Sequence, residues 1–173
     1  MTKKSGFTLI EVLSSTAILS ILLIGAVTVF TTSLLSQSKA RVRRVIKLEG
    51  EQIISTIEFE LKNAQSITNC VGPADTLSYT RAGDPDNLVR TIAFASGAIS
   101  LTEAATEQLN SDRVTITPTP NLFNCEENAE NKAKFISVAF DLTNAQAGEI
   151  NTDAGSITES FRTGVSFRNF KAN

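Results

Sequence analysis

From Phe7 to Phe30 the chain holds 24 residues, and only Glu11 among them is charged. Coiled as an α-helix, that run extends about 36 Å, enough to cross a bilayer with some tilt. Beyond it the pattern becomes one-sided. Val42, Ile46, Ile53, Ile57, Leu61 and Ala64 follow mostly at three- or four-residue steps, with one gap around Gly50. That spacing predicts an amphipathic helix. No proline precedes Pro73, so the two stretches read as one helix from about Phe7 to Ile67. Gly25 and Gly50 are its expected soft points, at about 1 kcal/mol each relative to alanine.

Helix signals stop at residues 69–73, and short strands follow. Thr76–Arg81 and Leu88–Ala95 flank the turn composition Gly83-Asp84-Pro85-Asp86-Asn87. Ala98–Thr102 follows a Ser-Gly turn. Arg113–Thr117 alternates Val114 and Ile116 with polar residues and is expected to end at Pro118 and Pro120. Phe135–Thr143 carries Ile136, Val138, Phe140 and Leu142 in step, and Phe161–Phe170 closes the series. The polar stretches Asn121–Lys134 and Asn144–Glu159 read as surface loops. Consecutive strands on short turns, set against an amphipathic helix, predict an α+β domain with an antiparallel sheet. The segments are then 1–6, 7–30 as the membrane half of the helix, 31–68 as its amphipathic half, and 69–173 as the β part.

Composition narrows the chemistry. The chain has 173 residues, a net charge of −2 and no histidine, so the commonest general base and transition-metal ligand are missing. The acidic balance argues against a nucleic-acid partner. Asp84 and Asp86 lie in a turn without the spaced ligand set of a calcium loop. Glu126, Glu127 and Glu130 read as a solvated loop. No motif fixes an acid and a base, and no glycine loop would cradle a nucleotide. The expectation is a protein that is not an enzyme, with no cofactor and no metal site. Cys70 and Cys125 are the two cysteines. They read as a disulfide if the domain lies outside the cytoplasm, or otherwise as two unrelated buried thiols. Closing a loop of that length would stabilise the fold by ~4 kcal/mol in the chain-entropy model.

Glu11 is the anomaly. A carboxylate at mid-membrane costs about 2.5–3.5 kcal/mol on insertion scales, less near an interface, and no basic residue within the span can pair with it. A cation from another chain is the natural candidate. The stretch Gly6-Phe7-Thr8-Leu9-Ile10-Glu11-Val12-Leu13, preceded by Lys3 and Lys4, resembles the processing signature of type IV prepilins and type II secretion pseudopilins. The resemblance implies residues 1–6 as a cleavable leader, cut by prepilin peptidase after Gly6. It implies N-methylation of Phe7 and a role for Glu11 in pairing with the N-terminal amine of a neighbouring subunit, which sets assembly register. It also implies a pilin-like fold, the long helix packed on an antiparallel sheet. Many members bend this helix at a proline, which this chain lacks.

The implied partners are prepilin peptidase, other pilin or pseudopilin subunits, an inner-membrane assembly platform and membrane lipid. The implied location is the bacterial cytoplasmic membrane, single-pass, with the globular part outside the cytoplasm. Against that topology, Lys39, Arg41, Arg43, Arg44 and Lys47 place five cations just past the span, opposite to a simple positive-inside count. Gln52–Ala64 and Phe161–Asn169 resemble the corresponding stretches of J-type minor pseudopilins and W-type minor pilins. The expectation is therefore a minor subunit of a pilus, or of a type II secretion or competence pseudopilus. The alternative is a membrane-anchored extracytoplasmic binding module that does not polymerise.

Overall fold

A computed structural model describes residues 6–68, 72–81, 83, 88–127, 133–144 and 156–166. Among the described residues one long helix, α1 (Leu9–Lys62), precedes nine strands. The chain forms two compact units, residues 1–40 and 41–173.

The first unit is helical from Leu9 onward, and almost all its described residues are exposed. Its hydroxyls do not conflict with an apolar setting. Those of Ser14, Ser15, Thr16, Ser20, Thr28, Thr31 and Thr32 donate to helix carbonyls three or four residues back, at 2.8–3.2 Å.

The second unit is the α+β domain. Two antiparallel sheets hold its strands. One has the order β1 (Ala64–Thr68), β3 (Thr76–Arg81), β4 (Val89–Ala95), β5 (Ala98–Thr102), β6 (Thr106–Gln108). The other has the order β2 (Gly72–Ala74), β7 (Val114–Glu127), β8 (Ala133–Asn144), β9 (Thr158–Ser166). The helix contributes Val42, Ile46, Ile53, Ile57 and Leu61, all buried, to one core with Leu77, Tyr79 and Ile92 of the first sheet and Phe123, Ile136 and Phe140 of the second. The stripe read from the sequence is thus the face that covers both sheets. Asp75 joins the sheets where the chain crosses between them: its carbonyl accepts from Phe94 N at 2.8 Å and its carboxylate from Leu122 N at 3.0 Å.

Several sequence expectations change. The helix ends at Lys62 instead of about Ile67, because Asn63 closes its last turn with its backbone and side-chain nitrogens donating to the Phe59 carbonyl at 3.2 and 2.8 Å. Residues 64–68 then pair with β3, so the segment 31–68 is helix only to Lys62. The strand starting near Arg113 does not stop at its prolines. It runs on as β7 to Glu127: Pro118 still sits opposite Phe140 of β8, and the register shift between Pro118 and Phe123 takes in Pro120. Residues 121–127 are accordingly strand, and Leu122 and Phe123 are fully buried. Of the loop expected over Asn144–Glu159, Asn144 closes β8 and Thr158 and Glu159 open β9; residues 145–155, the turn residues 84–87 and residues 167–170 lie outside the described residues. The Ser-Gly turn is as expected: Ser96 and Gly97 both have positive φ and link β4 to β5 as a two-residue hairpin loop.

Gly50 is a seat and not a soft point. A Cβ there would lie 2.2 Å from Cζ of Phe161, whose ring stacks on Phe140 at a centroid distance of 5.6 Å. The gap in the apolar stripe is where β9 sends an aromatic ring against the helix backbone. Alanine at this position gains helix propensity but must displace a ring that is 9% exposed and held from behind. Gly50→Ala is expected to destabilise the protein by about 1–2 kcal/mol, overpacking outweighing propensity. Adding Phe161→Leu should recover part of the loss. Thermal unfolding of the full chain in detergent checks this, and a Gly50→Ala variant more stable than the parent would refute it.

Candidate functional site

The site is a contiguous stretch at the head of α1, so tertiary folding is not needed to assemble it. Gly6 and Phe7 precede the helix, and both are exposed, Phe7 at 82%. A Cβ on Gly6 would meet nothing within 4 Å among the described residues. The helix starts after Thr8, whose carbonyl accepts from Glu11 N at 3.1 Å and Val12 N at 3.3 Å.

Glu11 therefore sits in the first helical turn. A negative charge is favoured there by the unsatisfied N–H groups and the helix dipole. Thr8-Leu9-Ile10-Glu11 also has the residue types and spacing of a capping box. Neighbouring Ile10, Leu13 and Ile18 are exposed, and Glu11 has no ion-pair partner among the described residues. The helix contains a stretch long and apolar enough to cross a membrane, and none of that stretch is buried.

The remaining sequence-predicted residues lie elsewhere. Cys125 is buried on β7, directly opposite Gly72 of β2, and no free cysteine occurs among the described residues. Cys70 lies outside the described residues, as do Lys3 and Lys4. No group of three or more candidate metal ligands occurs among the described residues.

Sequence reasoning missed a buried polar cluster at the other end of α1. Glu60 accepts from the Tyr79 hydroxyl at 2.7 Å and lies 3.6 Å from the Arg90 guanidinium. Its signal was a carboxylate interrupting the apolar stripe between Ile57 and Leu61. Glu58, on the same turn, is held below the usual carboxylate range, first by Lys62 and then by the Thr163 hydroxyl of β9.

Residues 1–27 match the family model of the prokaryotic N-terminal methylation motif, the type IV pilin-like prepilin signal. The motif marks the chain as a type IV pilin-like prepilin peptidase substrate, and its apolar helix fits a membrane-anchored pilin. It implies assembly with other pilin subunits. Neither a curated protein nor a solved structure matches the chain.

Proposed function

We propose that this chain is a structural, non-enzymatic subunit, most similar to a minor one, of a type IV pilus or of a type II secretion or competence pseudopilus. Prepilin peptidase cuts between Gly6 and Phe7 and methylates the Phe7 amine. The processed helix anchors the protein in the bacterial cytoplasmic membrane, with the globular domain outside the cytoplasm. From there an inner-membrane assembly platform delivers it to neighbouring subunits, and Glu11 sets register by pairing with a neighbour's N-terminal amine. Cys70 and Cys125 form a disulfide in the exported domain. The observation carrying the reading is the exposed Gly6–Phe7 junction, placed one helical turn before a lone carboxylate on an exposed apolar helix.

Isolation from native membranes, followed by intact and peptide mass spectrometry, tests it. The expected N-terminus is Phe7, carrying one methyl group. The same spectra should show Cys70 and Cys125 linked. A chain beginning at Met1 or Thr2 in cells with an active prepilin peptidase would remove the assembly reading and leave a tethered binding module.

A further inference from the structure

The ladder between β7 and β8 opens in its middle. Pro118 sits opposite Phe140 and Phe123 opposite Val138, so residues 119–122 stand against Ala139 alone. Ile136, Val138 and Phe140 are buried in the core. Ser137 and Ala139 alternate with them, and Arg162 pairs with Ala139, so all three lie on the opposite face of the sheet. The extra residues of β7 make part of that face a recess of about 490 Å³, lined on its apolar side by Pro73, Pro120 and Ala139. That volume falls in the range of about 300–1,000 Å³ typical of small-ligand sites. The polar groups of the recess are open. Elsewhere on the two sheets hydroxyls pair with one another: Ser66 with Thr80 at 2.7 Å, Ser78 with Thr91 at 3.1 Å and Thr143 with Thr158 at 2.9 Å. In the recess the side chains of Thr119, Asn121, Asn124 and Arg162 make no hydrogen bond or ion pair among the described residues. Ser137 reaches only the Asn124 carbonyl, at 3.4 Å. Arg162 is exposed and is the one charged residue of the lining.

We propose that this recess binds an acidic sugar unit of a polysaccharide, with Arg162 on the sugar's carboxylate and Thr119, Asn121 and Asn124 on its hydroxyls. A guanidinium presents a planar fork that matches a carboxylate in two parallel hydrogen bonds. A single cation calls for a single negative charge. Two amides and a hydroxyl, each able to donate and to accept, suit a ligand dense in hydroxyl groups. The short apolar surface of Pro73, Pro120 and Ala139 takes the C–H face of the ring. Phe135 precedes Ser137 by two residues on the same face, about 7 Å along the strand. Its ring lies where a Cβ on Gly164 would stand, so it forms an aromatic platform for the next sugar of the chain. An acidic peptide is the competing ligand. Sugar is favoured because the recess offers side-chain amides on a sheet face, and not the free strand edge to which a peptide backbone would add. This ligand would belong to the exported domain whether or not the chain assembles.

The test is calorimetric titration of the full chain in detergent with the trimers of galacturonate and of glucuronate. At least one should bind at millimolar concentration, and its methyl ester, which lacks the charge, should bind about tenfold more weakly. Arg162→Gln should weaken the acidic trimer by about tenfold as well. Arg162→Lys should lose less, since it keeps the charge without the fork. Asn121→Asp, which sets a carboxylate beside that of the ligand, should also weaken binding. Arg162 is exposed and unpaired among the described residues, so its variants should melt with the parent and lost binding is then not lost folding. Failure of both trimers to bind would overturn the proposal. So would an ester bound as well as its acid, or Arg162→Gln at parental affinity. Tri-glutamate bound as tightly as the better trimer would overturn it in favour of an acidic peptide. Leader processing is read separately from the N-terminal mass, so either result can fail without the other.

Discussion

Replacing Glu11 by leucine is expected to leave processing and membrane insertion intact while reducing incorporation into fibres by about tenfold or more, on the premise that its carboxylate pairs across subunits. The carboxylate is the costly group in an otherwise apolar helix, so leucine makes insertion easier. A second explanation for Glu11 is local: it occupies the first turn, with the spacing to Thr8 of a capping box. Glutamine separates the two. A capping box accepts glutamine as well as glutamate, so Glu11→Gln retains the helix start and removes only the charge. If the charge sets register, Glu11→Gln should fail in assembly nearly as badly as Glu11→Leu. Quantifying the subunit in sheared fibres against the membrane fraction decides it. Glutamine at parental levels would end the charge-pair account and leave the cap as the reason for the residue.

Much of this molecule was legible because its main signals are local. The methylation motif is a linear segment within residues 1–27, and the stripe from Val42 to Leu61 repeats with the helix period, so both could be read without knowing what packs against them. The failures came where distant residues decide. Ala64 and Ile67 continue the apolar spacing past the true helix end, but pairing with β3 claims them for a strand. Pro118 and Pro120 normally stop a ladder; in β7 the residues between Pro118 and Phe123 bulge out, and pairing with β8 resumes beyond them. Gly50 looked like a weak point in a helix because its reason, the Phe161 ring, is more than a hundred residues away.

Glu60 belongs to the same class and carries the largest expected effect on stability. Its side chain is 8% exposed, as is that of Arg90 3.6 Å away, and Arg81 approaches its other oxygen at 3.9 Å. Burial, reinforced by this carboxylate, pushes the Tyr79 hydroxyl above its usual range, so the phenol remains a donor to Glu60. The cluster thus joins the last turn of α1 to β3 and β4 by charge and hydrogen bonding in a dry setting. Such a group is worth little when replaced whole but much when broken, because each survivor is left buried without its complement. Arg90 also pairs with Glu103, which limits the damage. Glu60→Leu should therefore cost about 3 kcal/mol, the lower end for a broken buried pair. At this chain length that lowers the melting temperature by roughly 10 °C. Tyr79→Phe alone should cost about 1 kcal/mol, the worth of one hydrogen bond. Combining Glu60→Leu with Tyr79→Phe and Arg90→Leu should be less destabilising than the single costs added together, since neither the Tyr79 hydroxyl nor the Arg90 cation is left stranded and the remaining cation, Arg81, is 29% exposed. Thermal unfolding of the four variants in detergent measures this. Additive losses would mean that the residues contribute by packing alone and that the cluster does not act as a unit.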